Sequence, residues 1–371
     1  MRIAVVMPRG SLMDRGRTNS METVAVTLNA GSRFRDDVWI ICDAGAADPA
    51  RLDLLTIPAG LGKAARTKAV ATRLRDLAPD IVEYHQQLGP AAELARKVRG
   101  PMHVLYRHTR IKPPGNPIER FRYRKRLETF DHLLFVSEAA CDEFRADYPK
   151  FKGAISAVCN PIDVEAWRGD AERREKLILF SGRAMADKGL DAFCEALAAV
   201  LGRHPDWRGA LMLGDWEKHA AWATPHVAAL TARFGDRVEV HRSAPLAEVM
   251  AATRRAAIAV TPSRVAEALG LTALEAQAAG AALISSGRGG LREASGDHAL
   301  YVDPPEAPGL IEAMERLIGD EALRLTLARG GQAHVAATHT PAVRTVQLDD
   351  LRQRLDDDRR GRSGLPGRSA A

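Results

Sequence analysis

Two short stretches of this chain hold charged residues at spacings suited to chemistry on an anion. The first is Phe180-Ser181-Gly182-Arg183-Ala184-Met185-Ala186-Asp187-Lys188-Gly189, with Arg183 and Lys188 five residues apart and Gly182 and Gly189 keeping the backbone open. Arginine offers a planar fork to phosphate oxygens and lysine a mobile point charge. At the carboxyl end of a strand such a pair can clamp a diphosphate, although an exposed turn also carries these residues. The second stretch runs from Thr261 to Glu275 and contains Gly270-Leu271-Thr272, which opens an Ala-rich helix. Free N–H groups and the positive end of a helix dipole make a phosphate site there. Glu267 sits in the loop before it. Glu275 lies within the first turns, where a carboxylate can accept two vicinal hydroxyls of a sugar ring. The plainer alternative is that Glu275 complements the helix N-terminus and Glu267 is solvated.

Other motifs are missing. A GxGxxG turn should follow the first strand of a dinucleotide fold, but here that strand leads into Pro8-Arg9-Gly10-Ser11-Leu12. Gly60-Leu61-Gly62-Lys63 resembles a phosphate loop only in part, without the Walker spacing or a following Ser or Thr. HExxH is absent, and His103 and His108 are a poor pair for one metal. Asp-x-Asp occurs only at Asp356 to Asp358, and Cys42, Cys141, Cys159 and Cys194 form no CxxC pair. A disulfide scaffold, a zinc ribbon and metal catalysis are all disfavoured.

The elements that must position these residues alternate along the whole chain. Short apolar runs at 3–7, 38–42, 54–57, 81–84, 103–107, 132–136 and 155–158 read as strands, separated by helical stretches such as 20–30, 63–77 and 91–98. The pattern restarts with strands at 177–181, 210–213, 238–241, 257–260, 282–285 and 299–302, and helices at 189–201, 225–234, 246–254 and 271–279. Runs without alternation suit strands buried on both faces of a parallel sheet. Residues 160–176 read as a linker. The expected architecture is α/β, two doubly wound parallel-sheet domains in tandem, with the site at the carboxyl ends of the strands in the cleft between them. The expected domains are 1–163 and 164–339; a C-terminal helix at about 340–355 packs back on the first, and 356–371 form a disordered tail.

The chain's 371 residues fit two domains, and 46% hydrophobic against 27% charged residues can fill both cores. The apolar start at Ile3 is too short for a signal peptide, and no apolar run reaches the roughly 18–20 residues of a spanning helix. A cytoplasmic location is expected. Residues 1–165 carry 26 Lys and Arg against 20 Asp and Glu, whereas 166–371 carry 27 of each. The whole excess of +6 therefore lies in the first half. This points to two domains with different partners, the first meeting something anionic, rather than to a nucleic-acid binder.

Taken together the motifs resemble the retaining GT-B glycosyltransferases of family 4. The resemblance rests on Glu267 and Glu275 with seven residues between them, Ser181-Gly182-Arg183 with Lys188-Gly189, and Ala279-Gly280-Ala281-Ala282-Leu283-Ile284-Ser285 followed by Gly289-Gly290-Leu291-Arg292-Glu293. Phe135-Val136-Ser137-Glu138 and Asn160-Pro161-Ile162-Asp163 fall in the same order.

The resemblance implies a role for each residue. Arg183 and Lys188 hold the donor diphosphate and neutralise its charge as the glycosidic bond breaks; Gly182 lies beside them. Gly270, Leu271 and Thr272 bind phosphate through backbone N–H groups. Glu275 takes the ribose hydroxyls, and Glu267 contacts the donor sugar near its reacting carbon, with Glu293 a lesser candidate. Front-face attack with retention lets the leaving phosphate take the acceptor proton, so neither a separate base nor a metal or other cofactor is required. The donor is a nucleotide-diphosphate sugar, with UDP-sugars favoured.

Where family members have a Gly-Gly loop after the first strand, this chain has Pro8-Arg9-Gly10-Ser11 and a longer loop through Gly16 to Thr18-Asn19-Ser20, read as the cap of the next helix. Gly10 is a candidate for the acceptor or donor loop. His108, in a His-Thr pair after a strand, matches the family histidine that reaches the donor sugar, and His85 is a second candidate. Arg120, Arg122, Arg124, Lys125 and Arg126 alternate with Phe121, Tyr123 and Leu127, which suits either a helix on anionic lipid or a solvated helix face. The expectation is a glycosyltransferase acting on a glycan or lipid-linked acceptor of cell-envelope polysaccharide, lipopolysaccharide or glycolipid assembly, at the cytoplasmic face of the membrane. The alternatives are a GT-B-fold sugar-nucleotide epimerase, or a GT-B-like protein that binds without turnover.

Overall fold

The computed structural model describes residues 1–13, 20–45 and 53–363. By its contacts the chain divides into two compact units, Met1–Pro161 with Pro341–Ala371, and Ile162–Thr340.

In the first unit, β1 (Ile3–Val6), β2 (Val38–Asp43), β3 (Asp53–Ile57), β4 (Ile81–His85), β5 (Met102–Arg107), β6 (His132–Phe135) and β7 (Ala154–Ala157) form one sheet in the order β3-β2-β1-β4-β5-β6-β7. Every pairing in it is parallel. The crossovers include α1 (Ser20–Ala30), α2 (Lys63–Leu77), α3 (Leu88–Lys97), α4 (Pro117–Leu127) and α5 (Glu138–Asp147). Strand order reverses between β1 and β4. Ile3, Ala4, Val5, Ile81 and Val82 are all buried, because helices cover both faces, and so these strands lack alternation.

The second unit repeats this plan with β8 (Glu175–Arg183), β9 (Arg208–Gly214), β10 (Val238–Arg242), β11 (Ala256–Thr261), β12 (Ala282–Ser285) and β13 (Ala299–Tyr301), in the order β10-β9-β8-β11-β12-β13. All these strands are parallel too. Its helices are α6 (Val164–Trp167), α7 (Leu190–Arg203), α8 (Trp216–Phe234), α9 (Leu246–Arg255), α10 (Leu271–Ala279), α11 (Leu291–Ser295), α12 (Ala307–Gly319) and α13 (Glu321–Thr338). Here the order reverses between β8 and β11. Ile178, Phe180, Phe193, Leu197 and Leu211 lie in its main core.

Each expected strand is present, with ends moved by at most two residues. Three expectations need correction. Helix α8 starts at Trp216, nine residues before 225, and runs through Pro225. Buried Ala223, Val227 and Leu230 on either side of the proline anchor it in the core, which outweighs one missing N–H. The presumed linker contains α6 and the start of β8. Finally, residues 356–363 are not a disordered tail but the end of α14 (Pro341–Ser363). Ion pairs hold it: Asp356 with Arg359 at 2.8 Å and Arg360 at 2.6 Å, Arg359 with Asp80 at 2.7 Å, and Arg362 with Asp131 at 2.9 Å. The rest of that tail, and the capping loop through Gly16, Thr18 and Asn19, lie outside the described residues.

Helix α14 lies on α1, β4 and β5 of the first unit. Arg352, fully buried, places Nε and Nη2 on the two carboxylate oxygens of Glu83 in β4 at 2.7 and 2.8 Å. It also donates to Asn29 Oδ1 at 2.6 Å and Asp349 Oδ1 at 3.2 Å, and Asp349 in turn accepts from Ser32 Oγ at 2.6 Å. Such a network holds only because nearly every buried charge in it is matched.

Candidate functional site

In the second unit β8 and β11 are neighbours at the reversal of strand order, and their carboxyl ends are Arg183 and Thr261. Gly189 has φ +70°, and a Cβ there would strike the Pro262 carbonyl oxygen, so the loops after β8 and β11 touch backbone to backbone. The Arg264 N–H donates to Asp187 O at 2.8 Å. This approach joins Lys188 Nζ to Glu267 Oε1 in an ion pair, each side chain 20% exposed. Ser263 Oγ donates to the same oxygen at 2.5 Å. Glu267 is held from behind, because Gly290 N–H donates to its carbonyl at 2.8 Å. A Cβ on Gly289 would strike the Glu267 backbone, and one on Gly290 would lie 2.5 Å from Ala268 O. The Gly-Gly pair therefore sets where Glu267 stands. Arg264 pins the loop to Asp191 at 2.7 Å and Glu306 at 2.9 Å, and Arg288 to Asp303 at 2.5 Å.

Gly270 precedes α10 with φ +105° and gives no side-chain cap. Ala273 N–H donates to Gly270 O at 3.1 Å, leaving those of Leu271 and Thr272 at the open end of the helix. Glu275, one turn in, lines a small cavity with Ser181, Thr253, Thr261 and Thr272. Its half-buried carboxylate makes no hydrogen bond or ion pair among the described residues, and desolvation raises its pKa to about 7. Arg183 is exposed and likewise unpaired among the described residues. Lys218 and, less strongly, Arg183 hold the Asp215 carboxyl below its ordinary range. Gly182 is half-buried near the end of β8.

In the first unit His85 ends β4 and His108 follows β5. Their rings stack at 5.0 Å with Nδ1 of His85 2.9 Å from Nε2 of His108, and Tyr106 stacks on His108 at 4.6 Å. Burial lowers the His85 pKa to about 4, and burial followed by the nearby His85 and Arg107 pushes His108 well down, so both rings are neutral at pH 7. Gln86 Oε1 accepts the His108 N–H at 3.0 Å, and Thr109 Oγ1 accepts Gln86 Nε2 at 2.6 Å. Gly10, with φ +91°, donates its N–H to Asp43 Oδ2 at 2.8 Å.

Helix α4 carries the basic aromatic stretch. Asn116 caps it by accepting the Ile118 N–H at 2.8 Å, and only Leu127 is buried. Ile118 is 64% and Phe121 53% exposed. Lys125 and Arg124 pair with Glu128 at 2.7 and 3.4 Å, whereas Arg120, Arg122 and Arg126 make no ion pair among the described residues.

The structure thus brings Lys188 and Glu267 together, sets Glu275 one turn inside α10, leaves Arg183 unpaired among the described residues, and joins His85 to His108. Sequence reasoning assigned no role to Ser263, Arg264 or Arg288. Ser263 lies four residues before its partner Glu267, inside the stretch before Gly270, whereas the partners of Arg264 are distant in sequence.

Residues 21–166 match the profile described as Glycosyltransferase Family 4, and residues 175–320 that described as Glycosyl transferases group 1. The chain belongs to this glycosyltransferase family. This family member is 28% identical to an exopolysaccharide phosphotransferase of Streptomyces coelicolor, over 63% of the chain but only 25% of that protein. It is 24% identical to a D-inositol 3-phosphate glycosyltransferase of Corynebacterium urealyticum, over 86% of the chain and 80% of the relative. Among solved structures it is similar to Anabaena HepE in complex with UDP, with TM-score 0.77 and 14% identity over 95% of this chain and 100% of that one. Sucrose-phosphate synthase from Thermosynechococcus elongatus gives TM-score 0.77 and 17% identity over 96% and 100%. The glycosyltransferase chain has the GT-B fold of two Rossmann-like, parallel-sheet domains. Among the described residues no helix is long and apolar enough to cross a membrane.

Proposed function

We propose that this chain transfers a sugar, with retention, from a nucleotide-diphosphate sugar bound by the second unit to an acceptor bound by the first. One observation carries the reading: Lys188 and Glu267 are held together beside the open N-terminus of α10, at the reversal of strand order. In this reading the Leu271 and Thr272 N–H groups hold the diphosphate, and Arg183 and Lys188 neutralise the charge that grows on it without a metal. Lys188 is shared between Glu267 and the phosphate once the donor arrives. Glu275 accepts the ribose hydroxyls, and Glu267 faces the donor sugar near its reacting carbon. The acceptor oxygen attacks that carbon on the face the diphosphate leaves, and its proton passes to the departing phosphate oxygen. His108, neutral and fixed by His85, hydrogen-bonds a sugar hydroxyl.

UDP is the favoured nucleotide, in keeping with the HepE structures described with UDP and UDP-glucose. A lipid-linked or glycan acceptor of envelope assembly at the cytoplasmic membrane face fits α4, whose exposed Ile118 and Phe121 stand among Arg120, Arg122 and Arg126. The test is calorimetric titration with UDP, GDP and ADP on wild type and Arg183→Ala. Saturable binding of one nucleotide, weakened at least about tenfold in the variant, supports the donor site. No binding of any of the three at millimolar concentration removes it.

A further inference from the structure

Sequence reasoning set aside Gly60-Leu61-Gly62-Lys63 as a failed phosphate loop. In the structure it ends at a cavity of about 280 Å³ in the first unit, lined by Arg9, Lys63, Arg66, Thr67, Gln87 and Pro90. The cavity opens just past the carboxyl ends of β1 and β4, where strand order reverses and doubly wound sheets bind ligands. Lys63 is the first residue of α2 and lies beside the first turn of α3, its Nζ 3.9 Å from where a Gly89 Cβ would stand. Neither Gly62 nor Gln87 caps its helix with a side chain, so two helix N-termini meet at the cavity.

The side chains carry the argument further than the helix ends. Arg66, only 6% exposed, donates Nε to Asp43 at 2.6 Å and Nη2 to the Met7 and Pro8 carbonyls at 3.0 and 3.3 Å, while its Nη1 has no partner among the described residues. Asp43, the carboxylate paired with Arg66, is itself engaged on both oxygens, since the second accepts the Gly10 N–H. Lys63 Nζ and the Arg9 guanidinium make no hydrogen bond or ion pair among the described residues. Three cations against one carboxylate leave a charge of about +2, which matches a phosphate monoester at neutral pH. Exposed cations of an ordinary surface spread apart or find carboxylates; these converge on a concave site with none to spare.

We propose that this cavity binds the phosphate group of the acceptor, held by Arg9, Lys63 and the free Nη1 of Arg66. The proposal rests on the reading of the first unit as the acceptor unit. The phosphate belongs either to a small phosphorylated sugar or polyol or to the phosphate of a lipid-linked acceptor.

The full chain, saturated with UDP, is titrated calorimetrically with glucose 6-phosphate, glucose and inorganic phosphate, in wild type and in Lys63→Gln, Arg9→Gln and Lys63→Arg. Arg9 and Lys63 are exposed and unpaired among the described residues, so these variants should melt as wild type does. The expected result is binding of both phosphates but not glucose, weakened at least about tenfold in Lys63→Gln and Arg9→Gln, retained in Lys63→Arg, with UDP affinity unchanged. Vesicles of phosphatidylglycerol that displace inorganic phosphate, where phosphatidylcholine vesicles do not, assign the group to a lipid. Glucose 6-phosphate binding tighter than inorganic phosphate with no vesicle effect assigns it to a soluble acceptor. Phosphate binding equal in wild type and Lys63→Gln overturns the proposal, as does binding lost only in Arg183→Ala, which places the ion in the second unit. If UDP fails to bind while phosphate binding still depends on Lys63, the donor reading falls and this pocket stands.

Discussion

The two units place charge near the reversal of strand order in their sheets and treat it in opposite ways. Behind the reversal in the first unit, Glu83 of β4 and Arg352 of α14 are sealed from water and bonded at nearly every polar atom. At the reversal in the second unit, Lys188 and Glu267 remain one-fifth exposed, and Arg183 at the end of β8 has no partner among the described residues. A sealed pair cannot trade partners, because removing one member strands the other in low dielectric. A pair that still reaches water can, since solvent compensates either charge and its net worth is smaller than that of a sealed one. The first arrangement holds a helix on a sheet, and the second holds cations ready for a ligand.

Breaking the sealed pair gives the largest effect. Arg352→Ala should lower unfolding stability by about 3–5 kcal/mol, read by urea denaturation. Next comes Lys188→Ala, expected to change stability by no more than about 1 kcal/mol yet to cost about 2.7–4 kcal/mol of transition-state stabilisation in kcat/KM. Equal loss of stability in the two variants would erase the contrast between the units. Smaller again is Glu275→Gln, which should weaken nucleotide binding at pH 8 by about 1.5–3 kcal/mol, the worth of hydrogen bonds to a charged acceptor. Its unfolding stability at that pH should rise, because an unpartnered, desolvated carboxylate is gone.

What could be read in the sequence follows the same division. The second unit's site is written in glycines whose need is local: Gly189 against Pro262, Gly289 and Gly290 against the Glu267 loop, Gly270 at φ +105°. Bare apolar runs marked the strands of both sheets, because burial on both faces leaves no alternation. Local patterns do not report which remote charges meet. Arg264 finds Asp191 and Glu306 at separations of 73 and 42 residues, and Arg352 finds Glu83 at 269. The end of α14 reads as a disordered tail in the sequence for that reason, and the cavity of Arg9, Lys63 and Arg66 is hidden there because it is assembled from separate loops and helix ends. Pro225 misleads in the other direction, a strong local start signal overridden by the core on either side of it.

The last contrast is in titration near neutral pH, where the smallest effects lie. Glu275 in the second unit, raised to about 7, is protonated over part of the range in which an ordinary glutamate is ionised. Its native state therefore binds more protons than the unfolded chain between about pH 4.5 and 7, so its share of stability falls as pH rises through that window. Binding hydroxyls to the ionised carboxylate should release a proton, and nucleotide affinity should weaken as pH drops below about 7. His85 and His108 in the first unit run the other way. With His85 lowered to about 4 and His108 well below its ordinary value, both stay neutral from pH 8 to 6 and add no limb to activity there. Their stabilising contribution is present above about 6.5 and is lost as pH falls toward 4. Affinity measured calorimetrically from pH 6 to 8 should show one inflection near 7, absent in Glu275→Gln and unchanged in His85→Asn. An inflection that follows the histidine would place the neutral-pH switch in the first unit and reverse the assignment of which unit is electrostatically poised.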